Sequence, residues 1–131
     1  MKTYFTVAVS MLAGAALGAG AIETLHAQAK PPAYVVAEID VTNADAFTKE
    51  FAPLAGKALS ASDPGYKVLA RGGKTVTIDG DPPKARVIVN SFTDMDHAVA
   101  AYASADYKSA RAIGDKYAKF RIFAVEGQPP Q

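Results

Sequence analysis

The chain has 131 residues, of which 50% are apolar and 21% are charged, and it contains neither cysteine nor tryptophan. This length suits one globular domain and is too short for two independent hydrophobic cores. The apolar content excludes a low-complexity disordered protein, because enough apolar surface is available to offset chain entropy. With 14 basic and 13 acidic residues, the chain lacks the strong net charge typical of nucleic-acid or polyanion binders. The absence of cysteine excludes disulfides, thiolate metal sites and cysteine nucleophiles.

The first 29 residues have the order of a secretory signal peptide. Lys2 precedes an apolar segment over residues 4–22, and Ala27-Gln28-Ala29 supplies the small residues of a signal-peptidase site. The alternative is a membrane anchor, because the 19 residues of that segment could cross a bilayer. Its many alanines and glycines, and the lack of a basic cluster after it, favour cleavage. The sequence therefore predicts a signal peptide at 1–29, a mature domain at 30–131 and a periplasmic or secreted protein with no membrane attachment after cleavage.

The first half of the mature chain predicts a strand, a helix and a second strand. Residues 34–41 alternate between a cleanly apolar face and a mixed one, which is typical of a strand. Thr42 is the expected N-cap of a helix with one apolar stripe, and Pro53 is expected to kink or loosen that helix. The second strand, over 66–70, is expected to bulge at the paired glycines 72–73 and to resume over 74–78.

The second half repeats this order. Residues 86–92 predict a third strand, and the capping box that starts at Thr93 opens a second helix. That helix is expected to break at 104–106 and to restart before a fourth strand over 120–125. The order β-α-β-β-α-β predicts an α+β, ferredoxin-like fold, in which a four-stranded antiparallel sheet carries two helices on one face.

Two helices cover only one face of such a sheet, so the other face must contact water or a partner. Candidates for this open face are Tyr34, Val36 and Glu38 on the first strand, Ile88, Asn90 and Phe92 on the third, and Arg121, Phe123 and Val125 on the fourth. A face this apolar is unfavourable in water. Burial against a second copy is the simplest solution, so the sequence predicts a homodimer.

Four segments carry a resemblance to a known family. They are residues 33–42 (AYVVAEIDVT), residues 69–74 (LARGGK), the strand that enters Ser91-Phe92, and the motif Tyr102-x-Ser104-x-x-Tyr107. Together they resemble the DUF1330 family of the dimeric α/β-barrel superfamily, over residues 33–127. The resemblance implies a ferredoxin-like protomer whose sheet packs face to face with that of a symmetry mate. It implies no function, because the family has no assigned activity and its superfamily relatives include quinone-forming monooxygenases, muconolactone isomerases and haem enzymes.

Four side chains are candidate ligand-binding groups. Arg71, beside the paired glycines, carries a guanidinium that can bind a carboxylate or phenolate bidentately. Glu38 would become a general base if burial raised its pKa, and Asn90 is a polar group on an apolar strand. Tyr107 follows the helix break and could present its hydroxyl to a pocket between helix and sheet. The alternative for Arg71 and Glu38 is a structural ion pair across the sheet or the dimer.

Two further residues have no assigned role. His97 lies in the first turn of the second helix, where it could act as a base or an axial haem ligand but is more typical of a surface residue. Tyr102 is more typical of a core residue. No second histidine remains after cleavage to complete a metal site, and nucleotide, hydrolase and metalloprotease motifs do not occur, so we predict no metal and no cofactor. The lysines are scattered, which predicts no nucleic-acid binding.

These observations predict an exported homodimer that binds a small organic ligand, aromatic or anionic, in a pocket beside the sheet. One alternative is a cofactor-free enzyme of the monooxygenase or isomerase kind, with Glu38 or His97 as its base. Another is a non-catalytic structural or interaction dimer, in which Arg71 and Glu38 form a framework pair. A cavity would argue against the structural dimer, and a base inside that cavity would argue for the enzyme.

Overall fold

The computed structural model describes residues 29–131, so the predicted signal peptide at 1–29 falls outside the described residues except for Ala29. The described elements follow one another as β1 (Ala33–Val41), α1 (Ala44–Ala46), a π-helical turn (Phe47–Phe51), α2 (Ala52–Ser62), β2 (Lys67–Arg71), β3 (Arg86–Phe92), α3 (Met95–Ala103), α4 (Ala105–Gly114) and β4 (Ala118–Glu126). We call α1, the π-helical turn and α2 together the first helical region. Over residues 29–131, no helix is both long enough and apolar enough to span a bilayer.

The four strands form one antiparallel sheet in the order β2-β3-β1-β4. The central strand β1 buries Ala33, Val35, Ala37 and Ile39 against the helices, and its other residues face the opposite side. This alternation follows from the two-residue period of a strand. The predicted ferredoxin-like arrangement, with its helices on one face of the sheet, is confirmed.

The first helical region contains the irregularity that Pro53 predicts. Proline has no N–H for the helical ladder, and the ladder widens just before it, where the Ala52 N–H donates to the Phe47 carbonyl five residues back. The predicted N-cap is wrong by one residue. The Thr42 N–H donates to the Tyr117 carbonyl at 2.7 Å and prolongs the strand, so Asn43 caps the helix and accepts from the Ala46 N–H at 3.1 Å.

The second helix is broken where the sequence predicts. Ser104 ends α3 and caps α4, because its hydroxyl accepts from the Tyr107 N–H at 3.2 Å. At the start of α3 the cap is Asp94, which accepts from the His97 N–H at 2.9 Å. Thr93, the start of the predicted capping box, instead contacts Asp63.

The predicted strand over 74–78 is wrong. Strand β2 ends at Arg71, and Gly72 turns the chain away from the sheet with a φ of +62°, a conformation that glycine adopts without strain. Beyond this turn the segment pairs with no strand of the described residues, and Val76 and Ile78 are exposed. The bulge lies slightly earlier than predicted, between Val68 and Ala70. The sequence pattern predicted a strand over 74–78, but a strand also needs a neighbouring strand to pair with.

The open face of the sheet carries only part of the predicted set. The assignments on β1 and on β4 are confirmed, and Phe123 and Val125 are 42% and 52% exposed. The assignment on β3 is wrong. Asn90 pairs with Val35 and Phe92 pairs with Ala33, and paired residues of neighbouring strands lie on the same face of the sheet. Ile88, Asn90 and Phe92 therefore face the helices. Both faces of this strand are apolar, so alternation alone could not distinguish them.

A buried carboxylate connects the end of α2 to the end of β3. Asp63 is 1% exposed and accepts hydrogen bonds from the Gly65 N–H at 2.8 Å and from the Thr93 N–H and hydroxyl at 2.7 Å each. Burial alone would raise the pKa of Asp63, but the hydrogen bonds from Thr93 and Gly65 outweigh it and lower that pKa. The carboxylate therefore contributes to folding in its ionised form.

We expect Asp63→Ala to lower the free energy of unfolding by about 2 to 3 kcal/mol, because the N–H groups of Thr93 and Gly65 lose their charged acceptor. The folded pKa lies below the unfolded one, so this contribution is complete above about pH 4 and is lost as the pH falls through the folded pKa. Urea unfolding at neutral and acidic pH measures both effects. Asp79→Ala, on the exposed loop, is the control. Equal losses of stability in the two variants would contradict this role.

Candidate functional site

A cavity of about 80 Å³ lies between the first helical region and the sheet. It exists because the helices contact the sheet through side chains of different size. Helix α3 packs closely through Ala98 and Ala101, whereas the first helical region is held off by the rings of Phe47 and Phe51, centred 6.4 and 5.3 Å from the ring of Phe120. The volume is enough for several water molecules. Most of the wall is apolar; its apolar side chains include Phe47, Phe51, Ala55, Leu59, Ile88, Phe120 and Ile122.

Two tyrosines and an asparagine form a connected polar cluster in the cavity wall. The Tyr66 hydroxyl donates to Asn90 Oδ1 at 3.4 Å, and Asn90 Nδ2 donates to the Tyr102 hydroxyl at 3.3 Å. Asn90 is 3% exposed, so these tyrosines supply the partners that its burial requires. Burial raises the pKa of Tyr102, and that of Tyr66 despite the opposing charge of Arg71. Both hydroxyls are therefore neutral hydrogen-bonding groups at neutral pH.

Tyr107 lines the same cavity and is 5% exposed. Its ring packs edge-on against Tyr102, with the ring centres 4.7 Å apart. Burial raises the pKa of Tyr107, against the charge of Arg111. The hydroxyl of Tyr107 is therefore neutral at neutral pH.

Two arginines border the cavity. Arg71 is the last residue of β2 and is exposed, whereas Arg86 is the first residue of β3 and is half-buried beneath Phe47, with Cζ 5.6 Å from the ring centre. No acidic residue of the described chain lines the cavity. Arg86 is not among the binding residues that the sequence predicts. The available signal was strand parity, which places Arg86 on the same face as Asn90.

Glu38 does not reach this cavity. It lies on the open face of the sheet, where it pairs with Arg121 and accepts from the Lys84 N–H at 3.2 Å. The hydrogen bond from Arg121 lowers the pKa of Glu38 more than burial raises it. The predicted pair of Glu38 with Arg71 is therefore not formed within the chain, because the two residues lie on opposite faces of the sheet.

His97 lies outside the cavity at the start of α3, with Nδ1 2.8 Å from Asp94 Oδ1 and with 44% of its side chain exposed. Neither histidine nor carboxylate is found among the described residues that line the cavity, so no conventional general base faces it. Nor do residues 29–131 bring together three or more side chains that could bind a metal ion.

Comparison with known proteins agrees with this architecture. Residues 32–128 match the family described as "Domain of unknown function (DUF1330)". No curated protein matches the chain in sequence.

Three solved structures share the fold. RPA0582, a protein of unknown function from Rhodopseudomonas palustris, is 13% identical with a TM-score of 0.60 and covers 85% of this chain and 94% of its own. A putative antibiotic biosynthesis monooxygenase from Caulobacter crescentus is 21% identical with a TM-score of 0.56, and the match covers 76% of this chain and 92% of its own. SnoaB, a cofactor-independent oxygenase from Streptomyces nogalater, is 18% identical with a TM-score of 0.53, and the match covers 75% of this chain and 94% of its own. At these identities the similarity shows the fold alone.

Gly56 offers a direct test of the cavity, because nothing lies within 4 Å of the position that a Cβ there would take. We expect Gly56→Ala to raise the free energy of unfolding by about 0.5 to 1 kcal/mol, as is usual for glycine in a helix interior. Gly56→Leu is expected to be at least as stable as the wild type, because the side chain fills empty apolar space. Thermal unfolding measures both, with Lys57→Leu on the exposed side of the helix as control. A loss of about 1 to 3 kcal/mol in Gly56→Leu would indicate overpacking and contradict an open cavity.

Proposed function

Since the chain belongs to the DUF1330 family, whose function is unknown, we propose its function from the cavity: it is an exported homodimeric domain that binds a small organic ligand of aromatic or anionic character. The carrying observation is an apolar cavity bordered by two arginines, with no acidic residue of the described chain in its wall. Apolar walls favour burial of a ring, and guanidinium groups favour an oxyanion. The residue order at 1–29 supports export.

Three of the four predicted binding residues support this proposal by their positions. Arg71 is exposed and borders the cavity, which suits a residue at its entrance. Asn90 and Tyr107 are buried in its wall and can hydrogen-bond to a ligand inside. Glu38 lies outside the proposed ligand site, because its carboxylate pairs with Arg121 on the other face of the sheet.

The open face of the sheet supports the homodimer. It exposes Phe123 and Val125 around the pair of Glu38 with Arg121, whose guanidinium lies 4.9 Å from the Phe123 ring centre. Exposed apolar side chains on a contiguous face favour association. A second copy presents the same apolar face, so the two can bury each other about a two-fold axis.

A cofactor-independent oxygenase is the second candidate, because the fold is shared with SnoaB and with a putative monooxygenase. Such chemistry needs a group that removes a proton from the substrate. Among the described residues that line the cavity, only tyrosines could take this role, and burial raises the pKa of Tyr66, Tyr102 and Tyr107. These hydroxyls are poor bases at neutral pH, so ligand binding is the better-supported function.

Native mass spectrometry of the protein purified from its own host tests the proposal, because it measures oligomeric state, processing and bound molecules together. We expect a dimer of chains that lack residues 1–29, with a small organic molecule that denaturation releases. In Arg71→Ala the dimer should persist and the bound molecule should be lost, whereas Lys74→Ala, on the exposed loop, should keep it.

Three results would contradict parts of the proposal. A monomer at micromolar concentration would contradict the homodimer, and an empty dimer would contradict ligand binding. If Arg71→Ala unfolds or dissociates, Arg71 is a framework residue and not part of the ligand site.

The dimer has a separate test in Val125→Asp. A carboxylate at this position of the open face would be buried without a partner in the interface, so the variant should sediment as a monomer in analytical ultracentrifugation. Leu54→Asp places the same charge at a similarly exposed apolar residue of α2 and should remain dimeric. If both variants sediment as dimers, the open face is not the interface.

A further inference from the structure

We propose that Arg86 selects the ligand of this cavity, and that the ligand is a small carboxylate attached to an apolar ring. The inference rests on the proposed function, because it takes the cavity to be a ligand site. It adds the class of molecule that the cavity accepts and the side chain that recognises it.

The first observation is an unsatisfied donor. The Nε of Arg86 is buried, and no residue of the described chain accepts a hydrogen bond from it. Arg86 also takes part in no ion pair within residues 29–131, whereas Arg111 is paired with Asp115 and Arg121 with Glu38. A buried donor on a charged group is costly to leave without an acceptor. The geometry therefore calls for an oxyanion that the described chain does not supply.

The second observation is that the guanidinium is held in place. The Arg86 Cζ lies 5.6 Å from the centre of the Phe47 ring. The backbone of Gly72 is also close to the guanidinium, because an added Cβ there would be 2.9 Å from Nη1 and 3.1 Å from Cζ. Gly72 is itself fixed, because its N–H donates to the Val87 carbonyl at 2.9 Å. These contacts hold the planar guanidinium of Arg86 in a defined orientation, as bidentate recognition of a carboxylate requires.

The third observation is the contrast between the charged groups and the rest of the wall. Arg86 and Arg71 both line the cavity, so the positive charge is uncompensated by any described lining residue. The remaining surface is largely aromatic and aliphatic, so it favours burial of an apolar ring. A small hydrophilic anion would leave these walls without contacts, whereas a neutral ring would leave Arg86 unpaired. A ring that carries one carboxylate satisfies both.

Three probes separate these contributions: benzoate has ring and charge, benzyl alcohol has the ring alone, and acetate has the charge alone. Binding to the purified protein is measured by NMR titration. We expect benzoate to bind at least roughly tenfold more tightly than either of the others. In Arg86→Met the Kd for benzoate should rise roughly tenfold to a hundredfold, with that for benzyl alcohol unchanged. Arg86→Lys keeps the charge but lacks Nε, so its Kd for benzoate should lie between those of the wild type and Arg86→Met. Lys57→Met, on the exposed side of α2, removes the same charge away from the cavity and is the control.

Gly72→Ala tests the positioning without changing any charge. The added methyl group meets the guanidinium of Arg86, so benzoate should bind more weakly while benzyl alcohol binds as before. Gly80→Ala is the matched control, because Gly80 also has a positive φ (+79°) and nothing lies within 4 Å of a Cβ at that position. Thermal unfolding of each variant establishes that it is folded. If Arg86→Met does not fold, Arg86→Lys and Gly72→Ala decide the outcome.

Failure of the inference differs from failure of the proposed function. If benzoate and benzyl alcohol bind equally well, and neither Arg86→Lys nor Gly72→Ala weakens benzoate, the cavity is a ligand site but Arg86 does not select carboxylates. If none of the probes binds and the protein from its host carries no molecule, the proposed function falls and the inference falls with it.

Discussion

The size of the side chains between the helices and the sheet determines what this molecule can do. Helix α3 meets the sheet through the buried residues Ala98 and Ala101, whereas the first helical region meets it through Phe47 and Phe51. Aromatic rings pack edge-on or tilted and do not fill the layer completely, and the π-helical turn that carries them is a consequence of Pro53. The cavity is therefore a product of packing between layers and not of a loop that closes over the surface.

The two faces of the sheet differ in how their charged side chains are paired. On the open face Glu38 is paired with Arg121, and Asp40 is paired with Lys84 at 2.8 Å, so the charges of both carboxylates there are compensated. On the helix-facing side, Arg71 and Arg86 border the cavity without a described acid beside them. Compensated charges suit a face that a second copy covers, and uncompensated cations suit a site for an anion. The two proposals, dimer and ligand site, thus use opposite faces of one sheet.

The protonation states favour binding over catalysis. The pKa of Glu38 is lowered by its partner, and burial raises the pKa values of the cavity tyrosines. At neutral pH the cavity therefore contains hydrogen-bonding hydroxyls, an amide and guanidinium groups. This set can orient an anion but cannot readily remove a proton. The fold is shared with a cofactor-independent oxygenase, but fold alone does not carry chemistry.

Local patterns in the sequence determined the element order, the buried face of β1, the irregular helix before Pro53 and the helix break at Ser104, because each depends on neighbouring residues. The family followed from short motifs for the same reason. Tertiary structure decided which face of β3 meets the helices, that residues 74–78 pair with no strand within residues 29–131, and that Glu38 pairs with Arg121. It also decided that Arg86 enters the cavity. These features depend on register and on contacts between distant segments, and a two-residue alternation is equally compatible with either face of an apolar strand.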